Sequence, residues 1–278
     1  MKKIVISTLL AGLVSVASAQ AVVSGVVNYD YKKSGSAAAT TGLADGQIML
    51  SVSEDLAPGI KATAGLGLNG AGRNETVAGR DAYISVAAPV GTVTVGQIEI
   101  ANGLKANTFG LAPVIGADGV VLGAAANKDM VKYATPSIGG FSASVASVRD
   151  VDGTGERTNV YGVTGAVAVF NTAVDYTDTS KRVRASVSAK TGILTLGAGV
   201  SRQETGVADS WAVAAAVPVG PVTVGAVYSD GNGKSTEVGA QYNLSKRTAV
   251  QVAYRKVEEN TTAANNVSTT RVRLSHSF

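Results

Sequence analysis

The chain has 278 residues, with 24 Lys and Arg against 20 Asp and Glu, a formal net charge of +4, and no cysteine. That balance is too even for a nucleic-acid binder, and the lack of thiols excludes a disulfide framework. Hydrophobic residues make up 45% of the chain, yet after residue 19 no apolar run approaches the roughly 18 residues of a membrane-spanning helix.

Lys2 and Lys3 precede the apolar run Ile4 to Val16, and Ala17-Ser18-Ala19 follows it. This is the order of a secretory signal peptide cleaved after Ala19, and its apolar run is too short for a membrane anchor. Residues 20–278 are then the mature chain. Removing Lys2 and Lys3 takes the 24 basic residues to 22 against 20 acidic, a net charge of about +2.

The mature chain opens with period-two alternation. Val23, Gly25, Val27, Tyr29 and Tyr31 fall on one face, and Ser24, Val26, Asn28 and Asp30 on the other, the pattern of a strand with one lipid-like face and one wetter face. Lys32 to Ala44 reads as a polar first loop. Gln47–Glu54 and Ile60–Asn69 form a hairpin about Leu56-Ala57-Pro58-Gly59, where Pro and Gly preset the turn. Further turns are predicted at Pro89-Val90-Gly91, Pro136 to Gly139, Phe170-Asn171, Lys190-Thr191-Gly192, Pro218-Val219-Gly220 and Asn243 to Lys246. Between these seven lie eight longer, more polar connections, near 32–45, 70–78, 99–128, 149–156, 178–181, 204–207, 230–233 and 259–268. Fifteen connections join sixteen strands. Short turns at one rim and longer polar loops at the other are the marks of an all-β, antiparallel transmembrane β-barrel wide enough to hold water.

The later strands agree. Val183, Val187, Trp211, Val213, Val250, Val252, Val272 and Leu274 alternate with polar or small residues, and Arg182, Arg184, Arg271 and Arg273 fall on the opposite face. Tyr29, Tyr31, Tyr83, Tyr133 and Tyr254, with Trp211, suit an interfacial belt. The exceptional connection is Glu99 to Asp129, about thirty residues carrying Leu104, Phe109, Leu111, Ile115 and Val121 and few charges. A connection that long is uncommon and usually functional. So apolar a loop needs a packing partner, which the inside of a closed barrel offers, so it is expected to fold into the lumen and narrow it.

Five segments resemble the general diffusion porins of Gram-negative bacteria, particularly the beta-proteobacterial branch. They are Ser53-Glu54-Asp55-Leu56 with Pro58 to Ala62; Gly79 to Tyr83 with Gly91 to Gly96; Val131-Lys132-Tyr133 with Pro136 to Phe141; Tyr242 to Thr248; and the terminal His276-Ser277-Phe278. The resemblance implies a homotrimer of sixteen-stranded barrels with the third loop turned inward, embedded in outer-membrane lipid and lipopolysaccharide. It also implies that Phe278 is read by the outer-membrane assembly machinery. The chain departs from the family in its short outer loops, in Gln47 where an arginine is common, and in an apolar third loop with few acids.

A narrow wet pore focuses the field of the few charges that line it. The candidates for a basic wall are Lys132, Arg80, Arg184, Arg271 and Arg273, with Lys132 foremost because it faces away from Val131 and Tyr133. Glu99, Lys105 and Asp118 are candidates to project from the long loop. A basic wall beside a sparsely acidic loop leads to an expectation of weak anion preference. Catalysis is poorly supported. The one histidine, His276, reads as outward beside Phe278 and cannot serve a nucleophile. One histidine without cysteine leaves little for a metal to bind, and no cofactor is implied. The reading is a passive channel for ions and small hydrophilic solutes; the competing reading is a structural or adhesive barrel with a plugged lumen.

Overall fold

The computed structural model describes residues 20–70, 78–100, 126–150, 155–204, 209–231, 233–259 and 266–278. These form sixteen strands. The first five are β1 (Gln20–Ser34), β2 (Thr40–Ala57), β3 (Ile60–Asn69), β4 (Ala78–Ala88) and β5 (Gly91–Ile100). There follow β6 (Ala126–Ala134), β7 (Phe141–Asp150), β8 (Thr158–Val167), β9 (Phe170–Thr177), β10 (Arg182–Thr191) and β11 (Leu194–Gln203). The last are β12 (Ser210–Val219), β13 (Val222–Asp230), β14 (Gly233–Asn243), β15 (Thr248–Glu259) and β16 (Val267–Ser277). Each strand pairs with its neighbours in sequence, all antiparallel, and β1 pairs with β16 to close the barrel. Closure leaves no strand edge for another chain to extend.

Alternation decides the faces. Val27, Tyr29, Tyr31, Leu66, Ile84, Val95, Val131, Val163, Val213, Val252 and Leu274 are exposed on the outside, while Asn28, Asp30, Met130, Ala212, Val227 and Ala253 are buried on the inside. Most outward aromatics gather in two rows. Tyr29, Tyr31, Tyr161, Tyr176, Trp211 and Tyr254 stand toward the ends of strands that meet the long connections, and Tyr133, Phe141, Phe170, Tyr242 and Phe278 stand near the short turns. Two such girdles bracket the apolar band of a membrane barrel. Tyr83 is an exception to the predicted belt. It pairs with Gly65 on the inner face, and its ring covers the space above that glycine.

Three boundaries differ from the sequence reading. Strand pairing runs through Lys32↔Thr40, so the first connection is only 35–39, not the span from Lys32 to Ala44. The register shift between Asn28 and Tyr29, opposite Ala44, lets β2 continue through a stretch that composition marks as loop. The β8–β9 turn falls on Ala168 and Val169, with Ala168 at φ 53°, rather than on Phe170-Asn171. Glu99 and Asp129 lie within β5 and β6, which pair as far as Ile100↔Ala126. The expected inward course of the long loop falls on 101–125, outside the described residues, as do Lys105, Asp118 and the signal peptide.

The candidate pore wall

Inward positions of β16, β1, β2, β4 and β5 carry an arc of charged and polar groups. Arg271 and Arg273 alternate with outward Val272 and Leu274 on β16, and the closing pair sets Arg273 opposite Asp30 of β1. Arg273 grips Asp30 with two parallel bonds, Nε to Oδ1 at 2.7 Å and Nη2 to Oδ2 at 2.9 Å. Such a fork is the strong, orienting form of the pair. Arg271 approaches the same carboxylate at 3.4 Å. These groups, with Lys32, Asp45 and the β2 backbone from Thr40 to Ala44, line a polar recess of about 440 Å³ in the inner wall.

The arc continues through β2. Gln47 donates to Asp45 at 2.7 Å and accepts from Arg80 Nη1. Arg80 also donates to Glu99, from Nε at 2.8 Å and from Nη2, and lies 3.6 Å from Asp81. Strict alternation would put Arg80 on the outer face with Ala82 and Ile84. The register shift opposite Gly67 sets Arg80 and Asp81 against one residue of β3 and carries both inward.

Across the barrel, Asp175 of β9 faces Arg184 of β10, which donates from Nε to both carboxylate oxygens at 2.8 and 3.0 Å. Arg182 stands next along the inner face, within electrostatic range of both. Lys132 is inward and half-buried, between Thr94 and Ala146 in register. Among the described residues no hydrogen bond or ion pair reaches its ammonium. The inner faces of β10 to β14 between these charges are lined by small residues, among them Ser188, Ala212, Ala214, Ala216, Ser229 and Ser235.

The structure therefore joins Arg271 with Arg273 and Arg80 with Glu99, and sets Arg184 and Lys132 apart from both pairs. The sequence reading missed Asp30, Asp45, Asp175, Arg182, Arg255 and Glu237 as members of the wall. Except for Asp45, which fell in the expected first connection, their inward parity was readable; the cross-strand partners that make them a wall were not. Two arginines share Asp30, and two more lie about Asp175. Arg182 Nε and Arg255 Nη1 have no hydrogen-bond partner among the described residues. The described wall thus sets two arginines about one carboxylate at β10 and at β16, with Glu237 also in range of Arg271, while Arg80 answers both Asp81 and Glu99.

A family model described as Gram-negative porin matches residues 7–262. The chain belongs to the Gram-negative porin family. No curated protein sequence matches it, but solved porins share its fold. An anion-selective porin from Comamonas acidovorans is 21% identical, with a TM-score of 0.72 over 94% of this chain and 100% of that one. The outer-membrane protein OmpT of Vibrio cholerae, solved in a trimer form, is 10% identical, with a TM-score of 0.74 over 94% and 100%. A triple mutant of the Rhodopseudomonas blastica porin is 16% identical, with a TM-score of 0.67 over 93% and 100%. This porin is an outer-membrane barrel that passes ions and small hydrophilic solutes down their gradients. Its long antiparallel wall separates lipid outside from water inside.

Proposed function

We propose that this porin is weakly anion-selective, and that Arg271, Arg273, Arg182, Arg184, Arg80 and Lys132 are the wall charges that set the preference. The observation that carries this is the sharing of one carboxylate, Asp30, by Arg271 and Arg273. Arg255 and Arg273 stand within electrostatic range of Arg271, as do Asp30 and Glu237, three guanidiniums against two carboxylates, and a net positive charge at that point of the wall attracts a passing anion. The Comamonas relative, described as anion-selective, supports the sign. The reading has no catalytic step; solutes pass by size and charge.

We further propose that the functional unit is a homotrimer, supported by the trimeric OmpT relative. Residues 1–19 act as a cleaved export signal, and Phe278 serves as the handle for assembly in the outer membrane. The test is planar-bilayer conductance of refolded residues 20–278 under a salt gradient. The expected result is current in steps of three with a reversal potential on the anion side, moved toward neutral by Arg271→Ala with Arg273→Ala. A reversal potential on the cation side would overturn the selectivity. A folded barrel without conductance would favour a plugged structural barrel.

A further inference from the structure

An exposed aliphatic side chain stands at each of the seven short turns, five within the turn itself and two, Leu56 and Val219, in the strand end that leads into it. They are Leu56, Val90, Ile138, Val169, Ile193, Val219 and Leu244, each residue 47–75% exposed. Their placement follows the outer face. Val219 closes the outward row of β12 after Trp211 and Val213. Ile138 pairs with outward Phe141 through two backbone bonds, 2.7 and 3.1 Å. At the opposite rim no large exposed hydrophobic occurs among the described connections 35–39, 155–157 and 178–181. Ion pairs stand there instead, Arg149 and Arg157 with Asp129, Lys181 with Glu204, and Arg202 with Asp209.

We infer that these seven side chains form a ring seated in the inner-leaflet phospholipid interface, so that the turn rim of the barrel is immersed in lipid rather than projecting into the periplasm. Strand length is the independent support. Strands β7, β8, β10, β11 and β12 have 10 residues each and β9 has 8. At about 3.3 Å per residue and a tilt of about 40°, ten residues rise about 25 Å, no more than the apolar band of an outer-membrane barrel. Eight rise only about 20 Å. The charged rim holds the loop end in the headgroup region and water, so the shortfall falls at the turns. An aliphatic tip there extends the band by a residue's height. Exposed cations flank the ring at Lys61, Lys190, Lys246 and Arg247, against Glu54 and Asp55. That excess suits the phosphodiesters of the inner leaflet.

The inference rests on the membrane-barrel reading, and tryptophan fluorescence separates the two. Trp211 is the sole tryptophan and belongs to the loop-side girdle. In a Trp211→Phe background, Val90→Trp, Ile138→Trp and Ile193→Trp would each be refolded into phosphatidylethanolamine–phosphatidylglycerol vesicles brominated on the acyl chains. Ala37→Trp, in the 35–39 connection, supplies the aqueous reference. The expected result is emission blue-shifted from the Ala37→Trp reference, with bromine quenching comparable to that of native Trp211. Iodide quenching like that of the reference, with Trp211 still quenched by lipid, would place the tips in water. That outcome, which a docking site for a periplasmic protein would also give, overturns the inference and leaves the channel standing. Failure of lipid to quench Trp211 itself would sink both.

Discussion

Gly25 and Gly65 sit where an aromatic ring already fills the space of a side chain. A Cβ on Gly65 would meet the Tyr83 ring inside the barrel, and one on Gly25 would meet both the Phe278 ring outside and the carbonyl oxygen of Gln47. The two clashes differ in kind. Tyr83 can swing into the lumen, whereas the Gln47 carbonyl belongs to a paired strand and cannot move alone. Gly65→Ala should therefore cost about 1 kcal/mol and Gly25→Ala about 3 kcal/mol, the upper end for overpacking. Urea unfolding in vesicles, followed by Trp211 emission, would read both; equal costs would refute the distinction. The roles of such residues were only half legible. Alternation placed Lys132 and Asp30 inward, but Tyr83 read as belt because its partner glycine lies on another strand.

At the scale of strands, the β16–β1 seam joins Asp30 to Arg273 across 243 positions of sequence. Asp30→Asn keeps the shape and removes the charge. It should strengthen anion preference and weaken the seam by about 1.5–3 kcal/mol, the worth of a bond to a charged group. A conductance measurement with an unmoved reversal potential would show that Asp30 lies outside the path of the ions. The strand count was legible because Pro and Gly mark most turns. The β8–β9 turn escaped because Ala168 adopts φ 53° without either residue, and Asn171 nearby is the better turn former by type. Arg80 escaped for a related reason, since a bulge reverses parity and depends on the partner strand.

The β9–β10 connection has its own pH signature. Asp178 accepts from the backbone and side-chain nitrogens of Asn159, each at 2.9 Å, and from the Thr179 hydroxyl at 3.1 Å. Desolvation raises its pKa, but the bonds from Asn159 and Thr179 outweigh it and leave the carboxyl below its ordinary value. A depressed carboxyl stabilises the folded loop above its unfolded pKa and loses that contribution as pH falls through the folded one. Amide exchange at Asn159 should therefore quicken only below about pH 4, and Asp178→Asn should abolish the step. Exchange that changes near neutrality instead would point to another group.

For the whole molecule, the match of strand length to the apolar band along β7 to β12 makes that side of the barrel a close fit to its membrane. In bilayers of increasing acyl length, the refolded yield should fall once the hydrocarbon exceeds about 25 Å, because the charged loop rim cannot follow the turns inward. A yield independent of thickness would show that the outer face has slack. Closure was legible at this scale only indirectly, from the even strand count and the two kinds of connection. Hairpin pairings are local and marked by turns, but the meeting of β1 with β16 leaves no local trace.

That meeting also fixes an order in time. Every other ladder can form between neighbours as soon as both strands exist, while β1 and β16 meet only after a loop of more than two hundred residues is brought together. Until then the chain is an open sheet with two raw edges, one on each side. The gap closes through Gly25 and Phe278, whose backbones exchange bonds of 3.0 and 3.1 Å. The slowest moment in this barrel's formation is therefore its last, and the interval before it is when the chain is most open to adding a stranger's strand in place of its own.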